Sequence, residues 1–166
     1  LKRPLLGARE LDAFTDVFDS PAAKKLFQAR KEIDFSYAFR DVVRFRGNGY
    51  FEKGNISVAL RLIPRRIPSL EELNLPAVLE GFTKKQQGFF LVVGPVGQGK
   101  TTTLASLIEL INTERTEHIV TIEDPVEYAY EPKRSMIDQR EIGIDSKSFA
   151  AALHSAFRQD VDVIMI

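Results

Sequence analysis

The sequence has no cysteine, no net charge and no long hydrophobic run, and each absence narrows what the protein can be. Without cysteine there is neither a disulfide framework nor a thiolate zinc site. The 23 basic residues balance the 23 acidic residues, so no polybasic surface for nucleic acid or membranes is indicated. No apolar run approaches membrane-spanning length, and the first residues do not resemble a secretory signal. We therefore expect a cytoplasmic protein that binds no nucleic acid and has no direct membrane insertion.

The most informative segment that is present is the glycine-rich stretch of residues 94–101. It reads Gly-Pro-Val-Gly-Gln-Gly-Lys-Thr and matches the phosphate-loop (Walker A) pattern G-x-x-x-x-G-K-[ST] at every position. The apolar run 89–93 predicts a buried strand before the loop, and apolar residues at helical spacing from Leu104 to Ile111 predict a helix after it. A strand, loop and helix in this order point several backbone N–H groups and the positive helix end at one anion.

The loop predicts ATP and Mg²⁺ as ligands of the protein. Lys100 would reach the β- and γ-phosphates, and the Thr101 hydroxyl would ligate Mg²⁺. The predicted nucleotide-binding residues are Gly94, Pro95, Val96, Gly97, Gln98, Gly99, Lys100, Thr101 and Thr102. The competing interpretation is a glycine-rich turn with a solvated lysine.

Three acidic residues follow the next apolar strand, His118–Ile122. Glu123, Asp124 and Glu127 would lie at the carboxyl end of that strand, beside the predicted phosphate site. Carboxylates there hold Mg²⁺ through its waters or orient a water for attack on the γ-phosphate. We interpret Glu123 as a catalytic and metal-binding residue; the alternative is a turn at Asp124 with solvated acids.

The first part of the chain predicts helices and then a small sheet. Residues 9–31 have helical periodicity, with a break at Ser20, a candidate N-cap. Residues 33–63 alternate apolar and polar side chains in three runs, which predicts an antiparallel meander with one buried face. Strand parity places Arg44, Arg46 and Arg61 on the other face, where spacing alone predicts only solvated side chains.

The second part of the chain predicts an α/β domain. The proline-rich segment 64–76 is typical of a linker with one short helix, and strands alternate with helices from residue 77. We expect only a small excursion at 135–140, a helix capped by Asp145 or Ser146, and a final strand. Asp162, His118 and His154 are interpreted as structural or surface residues.

Several motifs together resemble one family, the secretion-type ATPases of type IV pili and type II secretion. Those motifs are the phosphate loop with Thr102-Thr103, then residues 121–127 (Thr-Ile-Glu-Asp-Pro-Val-Glu), 138–141 (Asp-Gln-Arg-Glu) and 160–164 (Asp-Val-Asp-Val-Ile). Residues 63–73 and Gln139-Arg140-Glu141 look most like the pilus-retraction, or twitching motility, branch. Type II secretion and pilus assembly are the alternatives within the family.

The resemblance implies a fold and an assembly. It implies a partial PAS-like α+β domain at 1–63, a linker at 64–76, and a truncated RecA-like P-loop NTPase domain with a mostly parallel sheet at 77–166. The family also implies a hexamer that acts on an inner-membrane platform protein. Two arginines of its amino-terminal domain approach the nucleotide phosphates, and Arg46 and Arg61 have the matching spacing of fifteen positions. The chain is accordingly expected to be a fragment of the complete ATPase.

Two other classes of function remain open on the sequence. One is a RecA-like motor that acts on nucleic acid, which the zero net charge and the lack of basic, aromatic-rich stretches disfavour. The other is a module that binds nucleotide without hydrolysing it and regulates an active copy.

Overall fold

The chain divides into two compact units, Leu1–Ile63 and Pro64–Ile166. The computed structural model describes residues 21–39, 43–64 and 66–166. The helix expected over residues 9–20, with its candidate cap Ser20, lies outside the described residues.

The described part of the first unit is one helix followed by a three-stranded antiparallel sheet. Helix α1 spans Pro21–Arg30, and the strands are β1 (Glu32–Phe39), β2 (Val43–Glu52) and β3 (Asn55–Ile63), in the order β1-β2-β3. The predicted antiparallel meander is therefore confirmed, but Leu60 and Leu62 of β3, which were expected on its buried face, are exposed. Lys53 and Gly54 form the β2–β3 turn with φ angles of 51° and 84°, the two positive values that a two-residue hairpin turn with matching twist requires.

Aromatic rings form the buried side of this sheet. Phe27 of α1 is buried and stacks on Phe51 of β2 with ring centroids 5.0 Å apart. Phe35 of β1 pairs with Gly47, and a Cβ atom on Gly47 would lie 2.1 Å from Cζ of the Phe35 ring. Glycine at position 47 therefore leaves the space that the ring occupies.

The second unit is built around a parallel sheet. A 3₁₀ helix (Ala77–Leu79) leads into α2 (Glu80–Thr83), and the elements that follow are α3 (Lys100–Glu114), β4 (His118–Glu123), β5 (Met136–Glu141), α4 (Phe149–Ala156) and β6 (Val163–Met165). The strand order is β5-β4-β6, and β4 runs parallel to both neighbours. This confirms the predicted mixed α/β fold with a parallel sheet.

Strand β4 is buried on both faces, and its parity decides which residues face α3. Ile119 packs with a cluster that includes Ala105 and Ile108 of α3. Val120 and Ile122 pack instead with alanines of α4. Because side chains alternate along a strand, residues 121 and 123 share the Ile119 face, on the side of α3.

Two predicted elements of the second unit are wrong. Residues 89–93 do not form a strand: Phe89 is 89% exposed, and no strand in the described residues pairs with this run. An apolar segment becomes a strand only when a neighbour completes its hydrogen-bond ladder. Residues 70–74 form a hydrogen-bonded turn in place of the expected short helix, with Ser69 and Glu72 each donating a backbone N–H to the other's side chain.

Two further details also differ from expectation. Residues 136–141 form strand β5 of the sheet and not a small excursion. Helix α4 is capped by Ser148, whose Oγ accepts from the Ala151 N–H at 3.2 Å. Asp145, a predicted cap, instead accepts from the Glu141 backbone N–H at 2.8 Å, so its carboxylate stabilises the end of β5.

Among the described residues, no helix is both long and apolar enough to cross a membrane.

His118 connects elements at the amino end of the sheet. Its Nε2 lies 2.9 Å from Asp138 Oδ2 on β5, and its Nδ1 lies 3.0 Å from the Gln159 carbonyl oxygen. Asp162 accepts from the His118 backbone N–H at 2.8 Å, in agreement with a structural role for Asp162. A carboxylate and a carbonyl only accept hydrogen bonds, so the doubly protonated imidazolium satisfies both contacts. The hydrogen bond to Asp138 raises the pKa of His118.

This arrangement predicts a pH-dependent stability. The pKa of His118 is raised in the folded state. The stabilising contribution of the protonated imidazole to the free energy of unfolding is therefore fully present below the unfolded pKa of about 6.5, and it is lost as pH rises through the folded pKa. We expect the free energy of unfolding to fall by ~1 kcal/mol more in the wild type than in His118→Gln between about pH 6 and about pH 8. Urea unfolding at both pH values measures the difference, and His154→Gln, at an exposed histidine of α4, is the control. Parallel pH dependences in wild type and His118→Gln would contradict the assignment.

Candidate nucleotide-binding site

The glycine-rich loop has the backbone of an anion cradle. Gly97 and Gly99 have φ angles of 82° and 80°, in the left-handed region where L side chains are strained. An added Cβ on either residue would meet nothing within 4 Å, and residues 94–99 are exposed. Gly99 is the N-cap of α3, and no side chain accepts a hydrogen bond at this cap. The amino end of a fifteen-residue helix is thus left without a side-chain cap and is accessible to a phosphate.

The predicted nucleotide-binding residues occupy the loop and the first turn of α3. Lys100 is the first residue of the helix, and its Nζ donates to the Pro95 carbonyl at 2.9 Å across the loop. Thr103 stabilises the first turn of α3, since its Oγ1 donates to the Gly99 carbonyl at 2.9 Å. Val96 and Gln98 are exposed. A phosphate in the loop would take Lys100 from a neutral carbonyl to a negatively charged partner, which is the stronger hydrogen bond.

Glu123 ends β4 on the face directed toward α3. It is only 8% exposed, and its Oε1 accepts from Thr121 Oγ1 at 2.6 Å and from Gln139 Nε2 at 3.2 Å. Its Oε2 accepts from the Glu127 backbone N–H at 3.4 Å. Burial raises the pKa of Glu123, while these three hydrogen bonds act in the opposite direction. The carboxylate is therefore held in one orientation in a partly desolvated place.

The other two acids do not share this environment. Asp124 is exposed, and Glu127 contributes its backbone N–H to Glu123. The burial of Glu123 alone among the three singles it out from solvated turn residues. The sequence alone did not separate these three acids. Only the alternation of side chains along β4, together with the packing of β4 against its neighbours, shows which of the acids faces α3.

Three residues that the sequence did not predict connect Glu123 to the phosphate-loop helix. Thr121 is completely buried and donates to Glu123. Gln139 of β5 donates to both Glu123 and the Tyr128 carbonyl, the latter at 2.7 Å. The Tyr128 hydroxyl lies 3.1 Å from Thr102 Oγ1 in α3. The sequence signal for Gln139 was its place in the family-like motif of residues 138–141, which carried no indication of its contact with Glu123.

Arg46 and Arg61 lie together in the first unit. They are direct partners in the β2–β3 register, so they share one face of that sheet. Arg44 lies two residues along β2 on the same face, opposite Ile63. The parity expected from the sequence is therefore correct for all three.

The potential metal ligands at this site suit Mg²⁺ better than a metal ion that is coordinated by protein side chains alone. Within the described residues there is no group of three or more His, Cys, Asp or Glu side chains that could hold a metal ion. Mg²⁺ normally keeps several waters and binds through one or two carboxylates together with substrate phosphates. A threonine hydroxyl at the loop and the single buried carboxylate of Glu123 fit that pattern.

Comparison with known proteins decides the family. The family model described as "Type II/IV secretion system protein" matches residues 33–166. The chain belongs to the type II/IV secretion system protein family. The resemblance drawn from the sequence motifs is confirmed.

Individual relatives point to the pilus-retraction branch of the family. A twitching motility protein of Neisseria gonorrhoeae is 39% identical over 98% of this chain and 44% of its own length. The type IV pilus retraction ATPase PilT of Pseudomonas aeruginosa is 38% identical over 98% of this chain and 47% of its own length. A crystal structure of the pilus retraction motor PilT with bound ADP superposes with a TM-score of 0.91 and 41% identity, covering 96% of this chain and 46% of that one. The chain thus spans about half the length of these relatives.

Proposed function

We propose that this chain is the nucleotide-binding part of an ATP-hydrolysing motor subunit that drives type IV pilus retraction. The observation that carries the proposal is an exposed phosphate loop at the start of α3, together with the hydrogen bonds that connect the first turn of α3 through Tyr128 and Gln139 to the buried carboxylate of Glu123. The similarity to PilT, which has been crystallised with ADP, supports the choice of nucleotide and of machine.

Each site residue has a defined task in this proposal. Lys100 and the loop N–H groups hold the β- and γ-phosphates of ATP. The Thr101 hydroxyl and Glu123 would hold Mg²⁺ directly or through water, and Glu123 would orient the water that attacks the γ-phosphate. Mg²⁺, when bound, supplies positive charge to the phosphate oxygens.

We further propose that residues 1–63 are part of a PAS-like domain, 64–76 a linker, and 77–166 the first part of a RecA-like domain. The cross-strand pair of Arg46 and Arg61 supports a use for the first unit, because like charges directly opposite one another destabilise a sheet. The negative charge of the nucleotide phosphates would offset that repulsion, and the two arginines would in turn stabilise the charge of the transition state of phosphoryl transfer. Assembly as a hexamer on an inner-membrane platform protein is part of the proposal, and a cytoplasmic location stays a prediction.

The arginine assignment has a matched control on the same strand face. In the full-length protein, Arg46→Ala and Arg61→Ala should each lower ATP turnover by ~10-fold or more, because each removes charge stabilisation made in the transition state. Arg44→Ala removes the same charge from the same face two residues away and should leave turnover within about 2-fold of wild type. Steady-state phosphate release measures all three variants. Equal losses in the three would mean that general surface charge, and not this arginine pair, matters.

A further inference from the structure

We propose that Gln139 is a positioning residue, which fixes the carboxylate of Glu123 relative to the phosphate-loop helix. The inference rests on the proposed function, because it gives Gln139 a task in the ATP hydrolysis assigned to Glu123. Gln139 itself would touch neither nucleotide nor metal.

The side-chain amide of Gln139 has a defined orientation. Its Oε1 accepts from the Tyr130 backbone N–H at 2.9 Å, and its Nε2 donates to the Tyr128 carbonyl at 2.7 Å. A backbone N–H only donates and a carbonyl only accepts, so these two partners determine which end of the amide is oxygen. The second Nε2 hydrogen is then directed to Glu123 Oε1, 3.2 Å away. All hydrogen atoms of this amide are used.

The register of the sheet brings Gln139 to the carboxylate. Gln139 on β5 is the partner of Thr121 on β4, and Glu123 lies two residues further along the same strand face. Oε1 of Glu123 thus receives two side-chain hydrogen bonds, from Thr121 and from Gln139. The Thr121 hydroxyl can rotate about its C–O bond, whereas the planar amide of Gln139 is locked at both ends by backbone groups. Gln139 is therefore the more rigid of the two supports.

The side-chain amide of Gln139 also holds the backbone of residues 128 and 130, in the segment that contacts helix α3. Residues 128 and 130 are both hydrogen-bonded to Gln139 through their backbone. The Tyr128 hydroxyl contacts Thr102 Oγ1 at 3.1 Å, next in sequence to the predicted magnesium ligand Thr101. The Tyr130 side chain is buried in the cluster that contains Ala105 of α3. One side chain thereby connects the acid at the end of β4 to the first turns of α3.

A purely structural role for Gln139 is the competing explanation, since a buried loop needs its backbone groups satisfied. The two roles predict different kinetics. A positioning residue acts on the chemical step through Glu123, so its effect disappears when Glu123 no longer acts. A structural residue changes stability, and its effect on turnover multiplies with that of any other change.

The test is a double-mutant cycle in the full-length protein with Gln139→Met, Glu123→Gln and the double variant. Gln139→Met preserves length and removes every hydrogen bond, and we expect a loss in kcat of about 10-fold with a KM for ATP within about 3-fold of wild type. The double variant should turn over within about 2-fold of Glu123→Gln alone. Affinity for the fluorescent analogue mant-ATP and the thermal unfolding midpoint are measured on the same samples. Gln159→Met, at an exposed glutamine beyond α4, is the control for the substitution itself.

Gln139→Glu is a second variant, which changes the hydrogen bonds of this side chain in a different way from Gln139→Met. It preserves the acceptor for the Tyr130 N–H, removes the donor toward Tyr128 and Glu123 and adds a negative charge beside Glu123, so it should lower kcat at least as much as Gln139→Met. A wild-type kcat in either well-folded Gln139 variant, or losses that multiply in the double variant, would overturn the inference and leave the proposed function standing. Wild-type turnover in Glu123→Gln would instead refute the role of Glu123, and with it the role of Gln139.

Discussion

Lys100→Ala is expected to weaken ATP binding by ~2 kcal/mol or more, which is about 30-fold in Kd. In the structure the Lys100 ammonium group donates to the Pro95 carbonyl at the start of the loop. A bound nucleotide offers it the charged β- and γ-phosphates at the open end of α3, and a hydrogen bond between two charged groups is roughly twice as strong as a neutral one. Titration with mant-ATP gives the affinities of both proteins.

Two matched variants separate the phosphate contact from other effects of the lysine. Lys147→Ala removes an exposed lysine from the second unit and should bind like wild type. Lys100→Met preserves most of the apolar stem, removes the charge and should bind as weakly as Lys100→Ala. Equal affinity of wild type and Lys100→Ala would exclude the glycine loop from nucleotide binding.

Glu123→Gln should lower ATP turnover by ~10-fold or more while much of the ATP affinity is preserved. The amide oxygen of glutamine can accept from Thr121 and Gln139 as the carboxylate does, so the two side-chain hydrogen bonds survive and only the long contact with the Glu127 N–H is lost. The change also removes a buried negative charge, whose desolvation raises the pKa of Glu123 in the folded protein. We therefore expect a thermal unfolding midpoint equal to or above that of the wild type.

The neighbouring acid supplies the control for this prediction. Asp124→Asn makes the same chemical change one residue later at an exposed position, and its turnover should stay within about 2-fold of wild type. Phosphate release and melting are measured for both variants. A Glu123→Gln protein with normal turnover would assign this buried acid to the structure of the strand end alone.

The sequence predicted those parts of the site whose signal is local. The phosphate loop follows from eight consecutive residues, and its two glycines with positive φ are required by the backbone conformation itself. The shared face of Arg46 and Arg61 follows from strand parity and a hairpin at Lys53-Gly54, both readable from short windows. Glu123 was also in the predicted set, because it ends an unmistakable apolar strand.

The parts that were missed depend on neighbours distant in the chain. Residues 89–93 are as apolar as β4, but strand formation needs a hydrogen-bonded partner, which the described residues do not provide. Strand β5 was taken for an excursion because four polar residues follow Ile137, a pattern that is not typical of a buried strand. Gln139 was missed with it, since its importance comes from pairing with Thr121 on β4 and not from its own sequence context.

The most direct test of the account is steady-state phosphate release from ATP by the full-length protein, with mant-ATP binding measured on the same sample. We expect saturable release that requires Mg²⁺, falls with Lys100→Ala and does not increase when single-stranded DNA is added. Nucleotide binding that depends on Lys100 without any release of phosphate would contradict the central claim, because the chain would then be a nucleotide-binding module and not part of an ATP-hydrolysing motor.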